Sequence, residues 1–217
     1  AYVANANGAD AAYYNPANMV YNDNRHEIEV TALYVILNEI NYNSISSPLD
    51  IKSEKEEAFI PSFHYTSPKL TSYDIRLGFS VVVPAGLTRQ WKDFPASVSA
   101  EKFSLETTEL NPSIAIPINS KLSVGFGLRY VRAEGEVMLD GSKLGPSAFT
   151  VDMKGEESAA FGYNLAISYQ ATDALNISAT YRSKIDLDLE GDASTTLVGT
   201  PISSGASLET PIPANFI

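Results

Sequence analysis

The stretch from Leu175 to Glu190 narrows the possible folds more than any other feature. Its odd positions read Leu175, Ile177, Ala179, Tyr181, Ile185, Leu187 and Leu189, with Ser183 alone out of step. Its even positions read Asn176, Ser178, Thr180, Arg182, Lys184, Asp186, Asp188 and Glu190. A helix needs apolar residues three and four apart, whereas a strand sends successive side chains to opposite faces. The stretch therefore predicts one long strand with an apolar and a polar wall.

The same alternation recurs upstream. Leu122, Val124, Phe126, Leu128 and Tyr130 alternate with Lys121, Ser123, Gly125, Gly127 and Arg129. Phe161, Tyr163, Leu165, Ile167 and Tyr169 form another apolar row, as do Ile75, Leu77, Phe79, Val81 and Val83, and Ile28, Val30, Ala32, Tyr34 and Ile36. Weaker patterns at about Phe59–Ser67 and Ser104–Ile118 make seven predicted strands between residues 27 and 189. The polar face is rich in Gly125, Gly127, Gly162, Ala166 and Ser168. Small residues with scattered charge suit a wall that must leave space inside, as in a barrel lumen. The apolar rows end in Tyr65, Tyr130, Tyr169 and Tyr181, and such rings suit a membrane interface.

The connections alternate long and short. Long polar stretches lie at about 38–58, 84–103, 138–156 and 190–210, and short ones at 68–73, Asn119-Ser120 and Gln170 to Ala174. One rim with loops and one with turns is the pattern of an outer-membrane barrel, with its turns on the periplasmic side. Residues 38–58, including Ser44, Ser46, Ser47 and the charge run Lys52 to Glu57, would then lie outside the cell. The fold class expected is mainly β, an antiparallel transmembrane β-barrel preceded by a short irregular segment. That segment is rich in Ala and Asn and is broken at Asn15-Pro16, because the residue before proline avoids helical angles. It is too polar to span lipid and is expected to pack inside the barrel mouth.

Composition removes other classes. A net charge of −11 argues against nucleic acid, which needs clustered Lys and Arg. With no Cys there is no disulfide scaffold, thiolate metal site or Cys nucleophile. The mean hydropathy of −0.07 suits a barrel as well as a soluble β protein. Only His26 and His64 are present, and no Ser or Asp constellation attaches to either, so no enzyme is expected. No cofactor and no metal are expected either. The chain opens Ala1-Tyr2-Val3 with no visible signal peptide, as a mature protein or a fragment would.

Five stretches in order resemble the FadL/TodX family of outer-membrane transporters for long-chain fatty acids and hydrophobic compounds. They are Gly8 to Met19 with its Asn15-Pro16-Ala17, Val83 to Thr88, Leu110 to Ala115, Leu122 to Leu128, and Tyr181 to Ile185. The resemblance implies a fourteen-stranded barrel, of which this chain would be the N-terminal half. Residues 1–26 would be the end of the hatch, and residues 27–217 the first half of the barrel with four long extracellular loops. It implies passive transport of a hydrophobic small molecule, with lateral release through a gap at an inward kink of strand three. It also implies a bacterial outer-membrane location among lipid and lipopolysaccharide, and we expect a monomer.

Mapped onto this sequence, the gate falls on Asn15, Pro16 and Ala17, which also read as a simple turn. The kink falls near Gly78, Pro84 and Gly86, since Gly and Pro weaken a ladder. Trp91, Phe94 and Phe103 suggest a ligand groove in the loop after strand three, or self-packing of that loop. Arg129 and Arg182 face the predicted lumen, either toward a carboxylate headgroup or in a wall salt bridge to Glu or Asp. The alternatives are a general diffusion porin and a structural or adhesive outer-membrane barrel.

Overall fold

A computed structural model describes residues 2–43, 50–70, 72–172 and 174–217. The expected loop residues Ser44, Ser46 and Ser47 lie outside the described residues. The strands are β1 (Glu27–Leu37), β2 (Asn41–Asn43), β3 (Asp50–Lys52), β4 (Glu56–Thr66), β5 (Arg76–Val82), β6 (Gly86–Gln90) and β7 (Lys102–Pro117). They continue with β8 (Leu122–Asp140), β9 (Phe149–Thr172), β10 (Leu175–Arg182), β11 (Ile185–Leu197), β12 (Thr200–Ile212) and β13 (Asn215–Phe216). β2 and β3 form a small hairpin, and the other eleven strands form one antiparallel sheet in the order β1-β4-β5-β7-β8-β9-β10-β13. β6 adds to β7, while β11 lies between β9 and β12. Two wall strands are thus each split in two: β5 with β6 is the third, and β10 with β11 the seventh.

The two faces separate as the alternation predicts for most of the wall. Leu128, Phe161, Leu165, Ile167 and Tyr169 are exposed on one face. Glu109, Asn111, Ser123, Arg129, Asn164 and Ser168 are buried on the other. What covers this second, inner face is the N-terminal segment. It folds as a 3-10 turn (Val3–Asn5), a one-turn helix α1 (Ala11–Tyr14) and a second 3-10 helix (Pro16–Tyr21). Ala6, Ala11, Ala12 and Met19 pack against Ala115 of β7. Small side chains bring the segment close to the sheet, and the sheet makes matching room. A Cβ at Gly125 would stand 2.4 Å from the Ala17 nitrogen. One at Gly78 would stand 2.7 Å from both Ala12 Cβ and Met19 Sδ.

The structure departs from the sequence reading in two places. The expected loops at 138–156 and 190–210 are mostly strand. β8 and β9 run on until only a connection at 141–148 remains, and β11 meets β12 through a turn at Val198 and Gly199. The side chains there still alternate, but the apolar row (Val137 and Leu139 of β8, paired with Met153 and Val151 of β9) stands on the inward parity of β8 and not on the lipid-facing one. The second departure is the seventh strand. It breaks at Ser183-Lys184, and its parity inverts there. Before the break the odd residues Leu175 and Ile177 are exposed, whereas after it Ile185, Leu187 and Leu189 are buried against Val131, Ala133 and Ala160. The one residue out of step in the pattern, Ser183, marks the inversion.

Candidate functional site

Asn15 latches the N-terminal segment to the wall. Its amide donates to the Val3 carbonyl and to Ser168 Oγ, both at 2.9 Å, while its oxygen accepts from the Ala17 N–H at 3.1 Å. Pro16 opens the second 3-10 helix, and the Ala17 carbonyl accepts from Ser123 Oγ at 2.9 Å. Asn18 braces the segment itself, donating to the carbonyls of Val3 at 3.2 Å and Ala6 at 2.9 Å, and its oxygen adds a second latch by accepting from Ser168 Oγ. Below them Arg76, fully buried, donates to the Asn22 and Asp23 carbonyls and fixes the exit of the segment.

The third wall strand is broken at Val83-Pro84-Ala85. β7 pairs Val82 with Glu109 and then Gly86 with Glu106, so three residues of the third strand stand opposite Thr107 and Thr108, a bulge. On its other side the ladder with β4 stops at Phe63 opposite Val81. Among the described residues no backbone pairing joins β4 to β6. Contact resumes where the Glu54 N–H donates to the Gln90 carbonyl at 2.8 Å. The result is a window in the wall between residues 56–62 and 83–89. Gly86 begins β6 above the break. Gly78 is not at the break: it is paired on both sides, opposite Thr66 and Ser113, and its missing side chain makes room for the N-terminal segment.

Arg129 and Arg182 meet on one carboxylate. Arg129 binds Glu109 through Nε at 3.0 Å and Nη2 at 2.9 Å, and Arg182 Nη2 reaches the same carboxylate at 2.6 Å. Glu109 and Arg129 are buried, while the Arg182 side chain keeps 17% of its surface exposed. One negative and two positive charges leave one cation in excess. Arg182 also donates to the Tyr13 carbonyl at 3.1 Å and lies 4.0 Å over the Tyr13 ring, tying the wall to α1. Arg129 Nη1 takes the Ser183 carbonyl at 2.8 Å. The Ser183 hydroxyl accepts the Tyr163 N–H instead, at 2.9 Å. The break in the seventh strand thus follows from a buried arginine claiming one ladder carbonyl.

These parts converge on a cavity of about 480 Å³. Tyr13 and Tyr14 of α1, Pro84 and Ala85 of the window, Leu105, Leu187 and Ile212, and Arg129 and Arg182 line it. It is an apolar chamber with a guanidinium at one wall and a plug segment at another. Trp91, Phe94 and Phe103 do not join it. Phe94 and Phe103 are exposed, and no ring contact links the three among the described residues. Glu109, Asn18, Thr107 and Tyr13 were not singled out by motif. Glu109 was nonetheless readable, because it shares the polar face of its strand with Asn111 and Ser113 and so faces the lumen arginines.

An antiparallel wall with an apolar outer face and an inner plug segment is the architecture of an outer-membrane β-barrel protein. The comparisons agree. Residues 1–215 match the family model described as outer membrane protein transport protein (OMPP1/FadL/TodX), and the chain belongs to that family of bacterial outer-membrane proteins. Outer membrane protein P1 of Haemophilus influenzae is 24% identical over 86% of this chain and 47% of its own length. The long-chain fatty acid transport protein of Escherichia coli O6:H1 is 26% identical over 62% of this chain and 35% of its own length. A Pseudomonas aeruginosa FadL homologue superposes with a TM-score of 0.80 at 18% identity, over 96% of this chain and 59% of that one. The Ralstonia pickettii toluene transporter TbuX gives 0.70 at 18%, over 96% and 61%. The chain therefore spans less than half of these curated relatives and about three fifths of these structures.

Proposed function

We propose that the protein carries hydrophobic small molecules, long-chain fatty acids foremost, passively across the outer membrane and releases them sideways through the window at the third wall strand. The cavity carries this reading. It joins the plug, the window edge and a partly exposed cation within one largely apolar chamber. Each buried CH₂ gains about 0.8 kcal/mol, so an apolar chain favours such a chamber and then the bilayer over periplasmic water. Arg182 supplies the excess positive charge for a carboxylate headgroup, and Asn15, Pro16 and Ala17 form the latch of the plug. The exposed rings of Phe94 and Phe103, with Trp91, offer the first landing surface outside. Residues 1–26 act as the end of the hatch and the remainder as barrel wall, embedded as a monomer among lipid and lipopolysaccharide. The relatives named for fatty acid and toluene transport support the solute class. The test is uptake of radiolabelled oleate by cells carrying the full-length protein, beside single-channel recording in planar bilayers. Oleate uptake that saturates, with low ion conductance, is expected. Steady ion conductance without oleate uptake would make it a porin, and neither would leave a structural barrel.

A further inference from the structure

The window raises a physical question. A wall strand at membrane depth cannot leave backbone groups without partners, because lipid offers none. Ala85 sits in the break, with no ladder partner on β4 or β7. Yet both of its backbone groups are satisfied, and by one side chain. Thr107 Oγ1 accepts the Ala85 N–H at 3.0 Å and donates to the Ala85 carbonyl. Thr107 is buried on the inner face of β7, 3% exposed, opposite the extra residue of the bulge. Pro84 beside it has no N–H to satisfy. A single hydroxyl thus stands in for the two ladder bonds that would otherwise draw the third strand back onto β4.

We propose that Thr107 is the positioning residue that holds the window open: its hydroxyl keeps Ala85 turned inward, away from β4. This rests on the lateral-release reading for its consequence, though not for its geometry. Without the hydroxyl, Ala85 regains its partners by pairing with β4. Continued at the register set by Phe63 opposite Val81, that ladder brings Ala58 opposite Gly86.

These 217 residues hold no cysteine, so cysteine pairs placed among them, with any cysteine elsewhere in the protein replaced by serine, report this directly. In the full-length protein, Ala58→Cys with Gly86→Cys probes the window, and Phe63→Cys with Val81→Cys marks the intact ladder. Thr107→Val is expected to raise disulfide formation across the window, and to lower oleate uptake per folded barrel, each by about tenfold, the size of a net hydrogen bond. Thr107→Ser, which keeps the hydroxyl, should restore both. If Thr107→Val does not fold, Thr107→Ala serves in its place. Unchanged crosslinking at the window, with the ladder pair still crosslinking, overturns the proposal whatever happens to uptake. Increased crosslinking with uptake intact keeps the role of Thr107 and instead sinks lateral release.

Discussion

Glu109 shows how much one side chain decides. It is a fully buried carboxylate shared by two arginines, so its loss leaves Arg129 buried without a counter-charge. Breaking a buried pair from one side costs about 3–5 kcal/mol. Glu109→Gln is therefore expected to lower the urea unfolding free energy by about that much. Arg182→Gln leaves the Glu109–Arg129 pair whole and should cost far less stability while weakening oleate binding. Equal destabilisation by the two variants would refute this division of roles. The glycines act in the opposite sense, by absence. A methyl group at Gly125 would press on the Ala17 nitrogen and Pro16. Gly125→Ala should therefore loosen the plug without touching the wall, seen as faster hydrogen exchange at residues 11–22 and unchanged exchange in β8.

At the level of elements, the alternation made most strands legible because lipid and lumen demand opposite surfaces. It failed where that demand ends or is overruled. The seventh strand reads as one apolar row interrupted only at Ser183. Nothing local to Lys184–Leu189 says that this row turns inward, because the cause, Arg129 taking the Ser183 carbonyl, lies far away in the sequence. The broken third strand was half legible: Pro84 marked a weak ladder, but Thr107, which satisfies the break, carries no motif. The extensions above the membrane were missed for a different reason, since their apolar residues, Val137, Leu139, Val151 and Met153, cross to the inward parity of β8. There β8 carries Arg132, Glu134 and Glu136 on the face that Leu128 and Tyr130 occupy lower down. Lys102 of β7 and Lys154 of β9 both bind Glu136, the latter at 3.0 Å, and hold its carboxyl below the ordinary value of 4.5. A depressed carboxylate contributes stability that is present above that value and lost as the pH falls through the lower folded one. Acidification below 4.5 should speed hydrogen exchange in the hairpin extension before the membrane wall, and Glu136→Gln should flatten that response.

For the whole molecule, the decisive relation is between the plug and the wall it covers. The inner face is polar and small-residued, with Ser123, Gly125, Asn164 and Ser168 beneath the N-terminal segment. Left bare, such a face would line a water-filled path, because nothing on it excludes water. The segment is held to it by specific bonds from Ser168 to Asn15 and Asn18, from Ser123 to the Ala17 carbonyl, from Arg76 to the Asn22 carbonyl and from Arg182 to the Tyr13 carbonyl, and otherwise by close packing of alanines. On the proposed transport function, a plug held this way would resist ions yet shift for a ligand that binds the shifted state better. Removing residues 2–22 from the full-length protein is therefore expected to leave a folded barrel, with its heat-dependent gel mobility retained, that conducts ions in planar bilayers. Asn15→Ala loses the two donor bonds to Val3 and Ser168 and should give brief, intermittent openings of the same kind. A deleted form that folds and stays electrically silent would show that the wall seals itself, and that the segment serves the ligand cavity alone.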